Sequence, residues 1–401
     1  MLFLRNYFGD IRTFLYIIEV LNYKDIRSVL ELGTYNIQSL REILLRTEDP
    51  QMINVKGVFY YDETNNGRKF WLKRKDGFNS SEMENFILGG VMHYNDKSSA
   101  DIDKLFRDLS IQKTATEVKL KHLASGDFLE CLNSSKLIFF LNWLYKSDLY
   151  LHYSSINNFY FSLVDIVDSC LGDIEKKAYG KHEMDMLKSE LFRLASDNFE
   201  DFYNFLYSYD YPNIKPDKVS SFCDHIIGMI EMSEKTFWTE CLMQLIKVGK
   251  KKEGLIFLEN NKNLTTIDNY LHIYIRPIYT FINSYHILDN EDHIEKLLAE
   301  IELNYGHVKL NNYNFLDSKK SKMIWISDII IGLVGKYFTY VNDIKIQDID
   351  DSLNRLTKNQ KKCLSLFNRI IIKSHNKNYM LIHSSISRYE HEKVGKILNW
   401  I

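Results

Sequence analysis

Carboxylates stand in this chain where apolar side chains would be expected. Residues 55–66 read VKGVFYYDETNN, in which Val55, Val58, Phe59, Tyr60 and Tyr61 make a β-prone run that breaks at Asp62-Glu63 and passes into the turn formers Thr64, Asn65 and Asn66. A charge is costly to bury unless it is paired, hydrogen-bonded or holding a metal, so Asp62 marks a candidate site at the open end of a sheet. The alternative is a hairpin turn in which Asp62 caps its own backbone. Residues 284–290, SYHILDN, repeat the pattern and end a short strand in Asp289, with Glu291 and Asp292 beside it. Acids there also suit the opening of the next helix. Asp328 lies in the first half of an intensely apolar helix over residues 323–340, where desolvation of an ionised carboxylate costs roughly several kcal/mol unless a partner answers it. Capping by Ser327 or Asp328 is the other explanation. Asp165 and Asp168, three residues apart on the apolar helix over residues 159–171, share a face and make either a further acidic pair or a partly exposed polar stripe.

These acids need elements to hold them. After the strand that carries Asp62, residues 68–73 alternate and are expected to return antiparallel through the Asn65-Asn66-Gly67 turn, with residues 76–84 as a loop. A third strand is predicted over residues 85–94, NFILGGVMHY, where Gly89-Gly90 marks a bulge or a close backbone approach. Helical spacing follows over residues 100–106 and 126–143, and residues 149–153 read as a fourth strand. Residues 173–283 read as a helical insert, broken at Tyr211-Pro212 and Lys215-Pro216. Residues 308–317 suggest one more strand. Residues 6–46 carry apolar steps of three and four, so residues 1–53 are expected to be an N-terminal helical extension, residues 54–340 the main domain and residues 341–401 a C-terminal helical segment.

The totals set bounds. A chain of 401 residues that is 45% hydrophobic and 26% charged buries a sizeable core, and four prolines argue against long disordered linkers. Fifty-one basic against fifty-three acidic side chains leave a formal charge of −2, which excludes a global field for polyanions; a nucleic-acid partner would need a local patch. Candidate patches are Arg68-Lys69 with Lys73, Arg74 and Lys75; Lys247 with Lys250, Lys251 and Lys252; Lys319, Lys320 and Lys322; and Lys358 with Lys361 and Lys362. Five scattered cysteines with no C-x-x-C spacing argue against a zinc knuckle or a disulfide framework and suit a reducing cytoplasm. Arg5, Asp10, Arg12 and Glu19 interrupt the apolar N-terminus, and no other run is expected to reach the length a membrane span needs.

The element order and several motifs together are similar to the bacterial proteins grouped as domain of unknown function 3800 (DUF3800). The matching pieces are Phe59-Tyr60-Tyr61-Asp62-Glu63-Thr64-Asn65-Asn66 with Arg68-Lys69-Phe70, then Asn85-Phe86-Ile87-Leu88-Gly89-Gly90, Glu117-Val118-Lys119, Asp165-Ile166-Val167-Asp168-Ser169, Asp289-Asn290-Glu291 and Ser327-Asp328. They span about residues 54–340. The resemblance implies an α/β, ribonuclease H-like mixed sheet with three antiparallel strands and further strands, and a magnesium- or manganese-dependent nuclease linked to bacterial defence against phage. Carried over by position, Asp62, Glu117, Asp289 or Glu291, and Asp328 would hold the metal. Lys119 would contact the scissile phosphate, and Arg68, Lys69 and Asn65 would line the rim. RNA or DNA is then the expected partner. The alternative is a non-catalytic module that binds nucleic acid or protein on the same fold, while the apolar stripes of the terminal helices suit an oligomer interface. Glu63 points away from Asp62 along an extended strand and is read as supporting the site rather than ligating.

Overall fold

A computed structural model describes residues 34–74, 77–94, 96–112, 114–171 and 180–400. The helices expected over residues 6–33, the start of the insert over residues 173–179 and Lys75 lie outside the described residues. In chain order, β1 (Thr34–Asn36), α1 (Gln38–Thr47), β2 (Val58–Thr64), β3 (Phe70–Trp71) and β4 (Asn85–His93) come first. Then follow α2 (Ser135–Lys146), β5 (Tyr150–Asn157), α3 (Asn158–Cys170), α4 (Lys181–Asp197), β6 (Thr265–Ile267), α5 (Leu271–Thr280) and β7 (Tyr285–Asp289). The chain closes with α6 (Asp292–Glu300), β8 (Glu302–Tyr305), β9 (Val308–Lys309), β10 (Tyr313–Leu316), α7 (Lys322–Asp343), α8 (Lys358–Lys377), β11 (Ile382–Ser385) and α9 (Arg388–Leu398).

The fold is α/β. Its main sheet is mixed and six-stranded, in the order β10-β7-β2-β4-β5-β11. β4 runs antiparallel to both of its neighbours, and every other adjacent pair is parallel. Alternation along β4 explains how the sheet is covered on both faces: Phe86, Leu88 and Met92 enter one apolar core with α3, α4 and the insert, whereas Ile87 and Val91 enter a second with α2, α7 and α8. Each such side chain, fully buried, contributes about 1.5–3 kcal/mol.

Four expectations are corrected. Residues 68–73 do not return against β2. β3 pairs instead with β6 of the insert, so the antiparallel trio is β2, β4 and β5. The N-terminal extension is not wholly helical, because β1 pairs with β8. The C-terminal segment likewise contributes a strand, β11, to the edge of the main sheet beside β5. Lastly, α7 is long and apolar enough to cross a membrane by length and composition, although 72% of its apolar window is buried inside the fold.

Close approach, not a bulge, accounts for Gly89-Gly90. The β2–β4 register runs unbroken from Val58↔His93 to Thr64↔Ile87. A Cβ on Gly90 would lie 2.2 Å from the Tyr60 carbonyl oxygen and 2.2 Å from Ser327 Oγ. That bare backbone lets α7 press onto the sheet, where Ser327 Oγ donates to the Tyr60 carbonyl (3.0 Å) and accepts from the Val91 N–H (3.2 Å).

Candidate functional site

β2 continues through Asp62 to Thr64 instead of breaking at the acid, with Asp62 opposite Gly89. Its turn follows at once, because Asn65 takes φ 58° and Arg68 φ 60°. On the other side, β2 runs beside β7 with Tyr61 paired to Leu288, so the next step along both strands sets Asp62 beside Asp289. Tyr61 and Leu288 point into the first core, and the alternation turns Asp62 and Asp289 toward α7. Ser327 fixes the helix against Tyr60, and this seats the following residue, Asp328, over Asp62.

Residues 117–122 border the cluster on its outer side. Buried Val118 and Leu120 anchor this stretch, and Asp328 Oδ1 accepts the Leu120 N–H at 3.2 Å. Between these anchors Lys119 reaches back, its Nζ 2.8 Å from Glu117 Oε1 and 3.6 Å from Asp328 Oδ2. His122 Nδ1 accepts the Lys119 N–H at 2.8 Å and holds the main chain there.

Electrostatically the cluster is acidic and partly dry. Burial first, then the charges of Asp328, Glu63 and Asp289, push the Asp62 carboxyl well above the usual carboxylate range. Asp328 and Asp289 are also raised, chiefly by burial, with Lys119 opposing the rise in both. For Lys119 itself burial works downward, but Glu117, Asp328 and Asp62 outweigh it and hold the ammonium at about 12. Asp62 Oδ1 accepts the Glu63 N–H at 2.7 Å, so the backbone-capping role is met by the same side chain. Asp289 Oδ1 accepts from the Asn290 and Ser318 N–H groups, both at 2.9 Å. Among the described residues, no three His, Cys, Asp or Glu side chains stand close enough to hold a metal ion as they are arranged.

No family model, curated protein or solved structure matches the chain.

Of the expected site residues, Asp62, Glu117, Lys119, Asp289 and Asp328 gather at this end of the sheet. Lys319 and Lys320 are exposed in the short 3-10 turn Ser318–Lys320, whose first N–H binds Asp289, so they flank the cluster. Lys322 is drawn off into an ion pair with Asp103. Glu291 does not join the acids: it caps α6 through the Ile294 N–H (2.7 Å) and pairs with Arg68 Nε (3.2 Å). Arg68 therefore serves the turn, and Lys69 follows it toward β3 with its N–H on the Gly67 carbonyl at 2.7 Å. Asn65 spends its amide on the Asn85 carbonyl (3.0 Å).

Asp165 and Asp168 lie elsewhere, because α3 packs in the first core and α7 in the second. Asp168 forms a buried ion pair with Lys188 of α4 at 3.0 Å, and Asp165 faces Tyr211 of the insert. The capping alternative for Ser327 and Asp328 fails as well, since α7 begins at Lys322.

Glu63 turns to the opposite face of β2, as extended geometry requires. Burial, with Asp289 and Glu291 adding to it, raises its carboxyl to about 7. The buried hydroxyl of Tyr274 on α5 faces it without meeting hydrogen-bond geometry. Sequence reasoning missed Tyr274 and His122. Tyr274 reads as an ordinary core aromatic, and only the spacing of His122 three residues after Lys119 could have flagged the capping contact.

Proposed function

We propose that the chain has a ribonuclease H-like fold of the DUF3800 kind and is a metal-dependent nuclease that cleaves phosphodiester bonds of RNA or DNA, in bacterial defence against phage. Among the strands of the main sheet, the first five in chain order are β2, β4, β5, β7 and β10. Numbered one to five, they lie side by side as 3-2-1-4-5 with only the second antiparallel, which supports the fold reading. The observation that carries the function is Asp62 itself, a carboxylate 9% exposed on the central strand with Asp289 beside it and Asp328 above it.

The donor set suits magnesium or manganese in kind: hard carboxylate oxygens from separate elements, with mutual repulsion that a doubly charged cation would relieve. Such an ion, when bound, supplies a lowered pKa for a coordinated water and polarises a phosphoryl oxygen. Asp62, Asp289 and Asp328 would hold it by drawing their carboxylates closer than they stand in the metal-free arrangement, with Glu117 at the outer edge. Lys119 is positioned to take a phosphate oxygen as a flexible point charge. Lys319 and Lys320 offer backbone contacts next to Asp289 that carry no sequence preference. A reducing cytoplasm suits five free cysteines.

The test is incubation of the purified protein with labelled single- and double-stranded RNA and DNA, with magnesium, manganese or chelator, beside Asp62→Asn. Cleavage that needs the cation and Asp62 is expected. Cleavage of no polymer under any of these ions, or cleavage that survives Asp62→Asn, overturns the reading. A second reading, a non-catalytic binding module, is favoured by the ion pairs with which Lys119 already answers Glu117 and Asp328. It requires nucleic acid or a protein partner to bind without being cut.

A further inference from the structure

We infer that the Lys119 ammonium is the resident countercation of the acid cluster, and that a divalent cation enters by displacing it. The inference rests on the metal reading above and assigns Lys119 a second task. In the metal-free protein four carboxylates, Asp62, Glu117, Asp289 and Asp328, share one facing cation. Among the described residues Lys119 is the one basic side chain in ion-pair contact with any of them, at 2.8 Å from Glu117 and 3.6 Å from Asp328. Its charge is felt by Asp289 as well, and Asp62 acts on it in turn.

The chain around Lys119 is built so that the side chain can leave while the backbone stays. Val118 and Leu120 on either side are 1% and 6% exposed, and the Lys119 and Leu120 N–H groups are held by His122 and Asp328. The Lys119 side chain is 43% exposed, so it can swing into solvent by breaking its two ion pairs while the apolar anchors on either side stay seated. An ammonium on a four-carbon stem suits such exchange, since it is a compact charge with rotatable donors and no fixed fork. A doubly charged ion that takes the same oxygens cannot share them with a like charge at contact distance. Once displaced, the ammonium remains on the solvent side of the cluster, where a substrate phosphate would arrive. One residue thus holds the empty site together and afterwards meets the polyanion.

The experiment measures manganese binding to the full-length protein, without nucleic acid, by electron paramagnetic resonance of the free ion. Wild type, Lys119→Met and Lys119→Arg are compared, with far-UV circular dichroism to verify that each is folded. Removing the competitor is expected to tighten binding about tenfold in Lys119→Met, the equivalent of about 1.4 kcal/mol. Lys119→Arg, which keeps the cation, stays within about threefold of wild type. A Lys119→Met affinity less than threefold tighter than wild type, or weaker, overturns the exchange. If none of the three proteins binds manganese at millimolar concentration, the metal reading itself falls and the exchange falls with it.

Discussion

Replacing Asp62 by Asn is expected to stabilise the metal-free protein and to abolish its response to divalent cations. The carboxyl of Asp62 is raised by burial and by its acidic neighbours. A carboxyl whose pKa is higher in the folded than in the unfolded state costs stability once the pH exceeds its unfolded value, and the cost is complete above the folded one. Asp289 is one strand away, about 5 Å, so at an effective dielectric of about 20 a fully charged pair repels by about 3 kcal/mol. Lys119 returns part of this, leaving a gain of about 1–3 kcal/mol for the neutral side chain. Asn keeps the volume and an oxygen for the Glu63 N–H, so the exchange opens no cavity. With about 2.1 cal/mol/K of unfolding entropy per residue, a chain of 401 residues gains about 1.2 °C in Tm per kcal/mol. Calorimetry at pH 8.5 in chelator should therefore show Asp62→Asn melting about 1–4 °C above wild type. Added magnesium should raise the wild type and leave the variant unmoved. A variant that melts below wild type in chelator, or equal rises for both proteins in magnesium, refutes the reasoning.

Two further outcomes follow from the same architecture. Gly90→Ala would drive a Cβ to 2.2 Å from the Tyr60 carbonyl oxygen, which is backbone and cannot rotate away, so α7 must lift from the sheet. Urea denaturation should show a loss of about 3 kcal/mol, and a variant within about 0.5 kcal/mol of wild type would contradict the tight seat. The second outcome concerns acid. Burial lowers His152 to about 3 and both His272 and His286 to about 4, so each is neutral when folded. Their stabilising effect is complete above the unfolded value of about 6.5 and is lost as the pH falls toward 4 and 3, because only the unfolded chain takes up the protons. Between pH 7 and pH 5 each should cost about 2 kcal/mol. Because the raised carboxyls of Asp62 and Glu63 work the other way in the same window, the check is the difference between proteins, with the urea midpoint of His272→Gln falling less than that of wild type; equal changes would exclude a buried neutral ring at that position.

Much of the scaffold was legible because period and burial agree. The unbroken apolar run of β4, buried at every position, the doubled glycine that admits α7 and the apolar run around Asp328 each state a local rule that the tertiary structure obeys. Asp62, Asp289 and Asp328 were visible for the same reason, as charges in places where the pattern demands carbon. What stayed hidden depends on partners far along the chain. Alternation marks Phe70–Trp71 as strand but cannot say that it pairs with Thr265–Ile267. The four residues of β11 are too few for periodicity to separate them from their helical surroundings. Asp168 resembled a site acid until Lys188, 1% exposed on a helix of the insert, supplied the countercharge. Glu291 illustrates a different limit: a cap and a ligand use the same carboxylate oxygens, and only geometry tells which donors they meet.

The measurement that bears most directly on the central claim is diffraction at the manganese absorption edge from crystals of the full chain grown or soaked in manganese. The account expects an anomalous peak within direct coordination distance of Asp62 and at least one of Asp289 and Asp328, with the Lys119 ammonium moved away from Asp328. No peak at those carboxylates in a manganese-saturated crystal, with Lys119 still paired to Glu117 and Asp328, would contradict it.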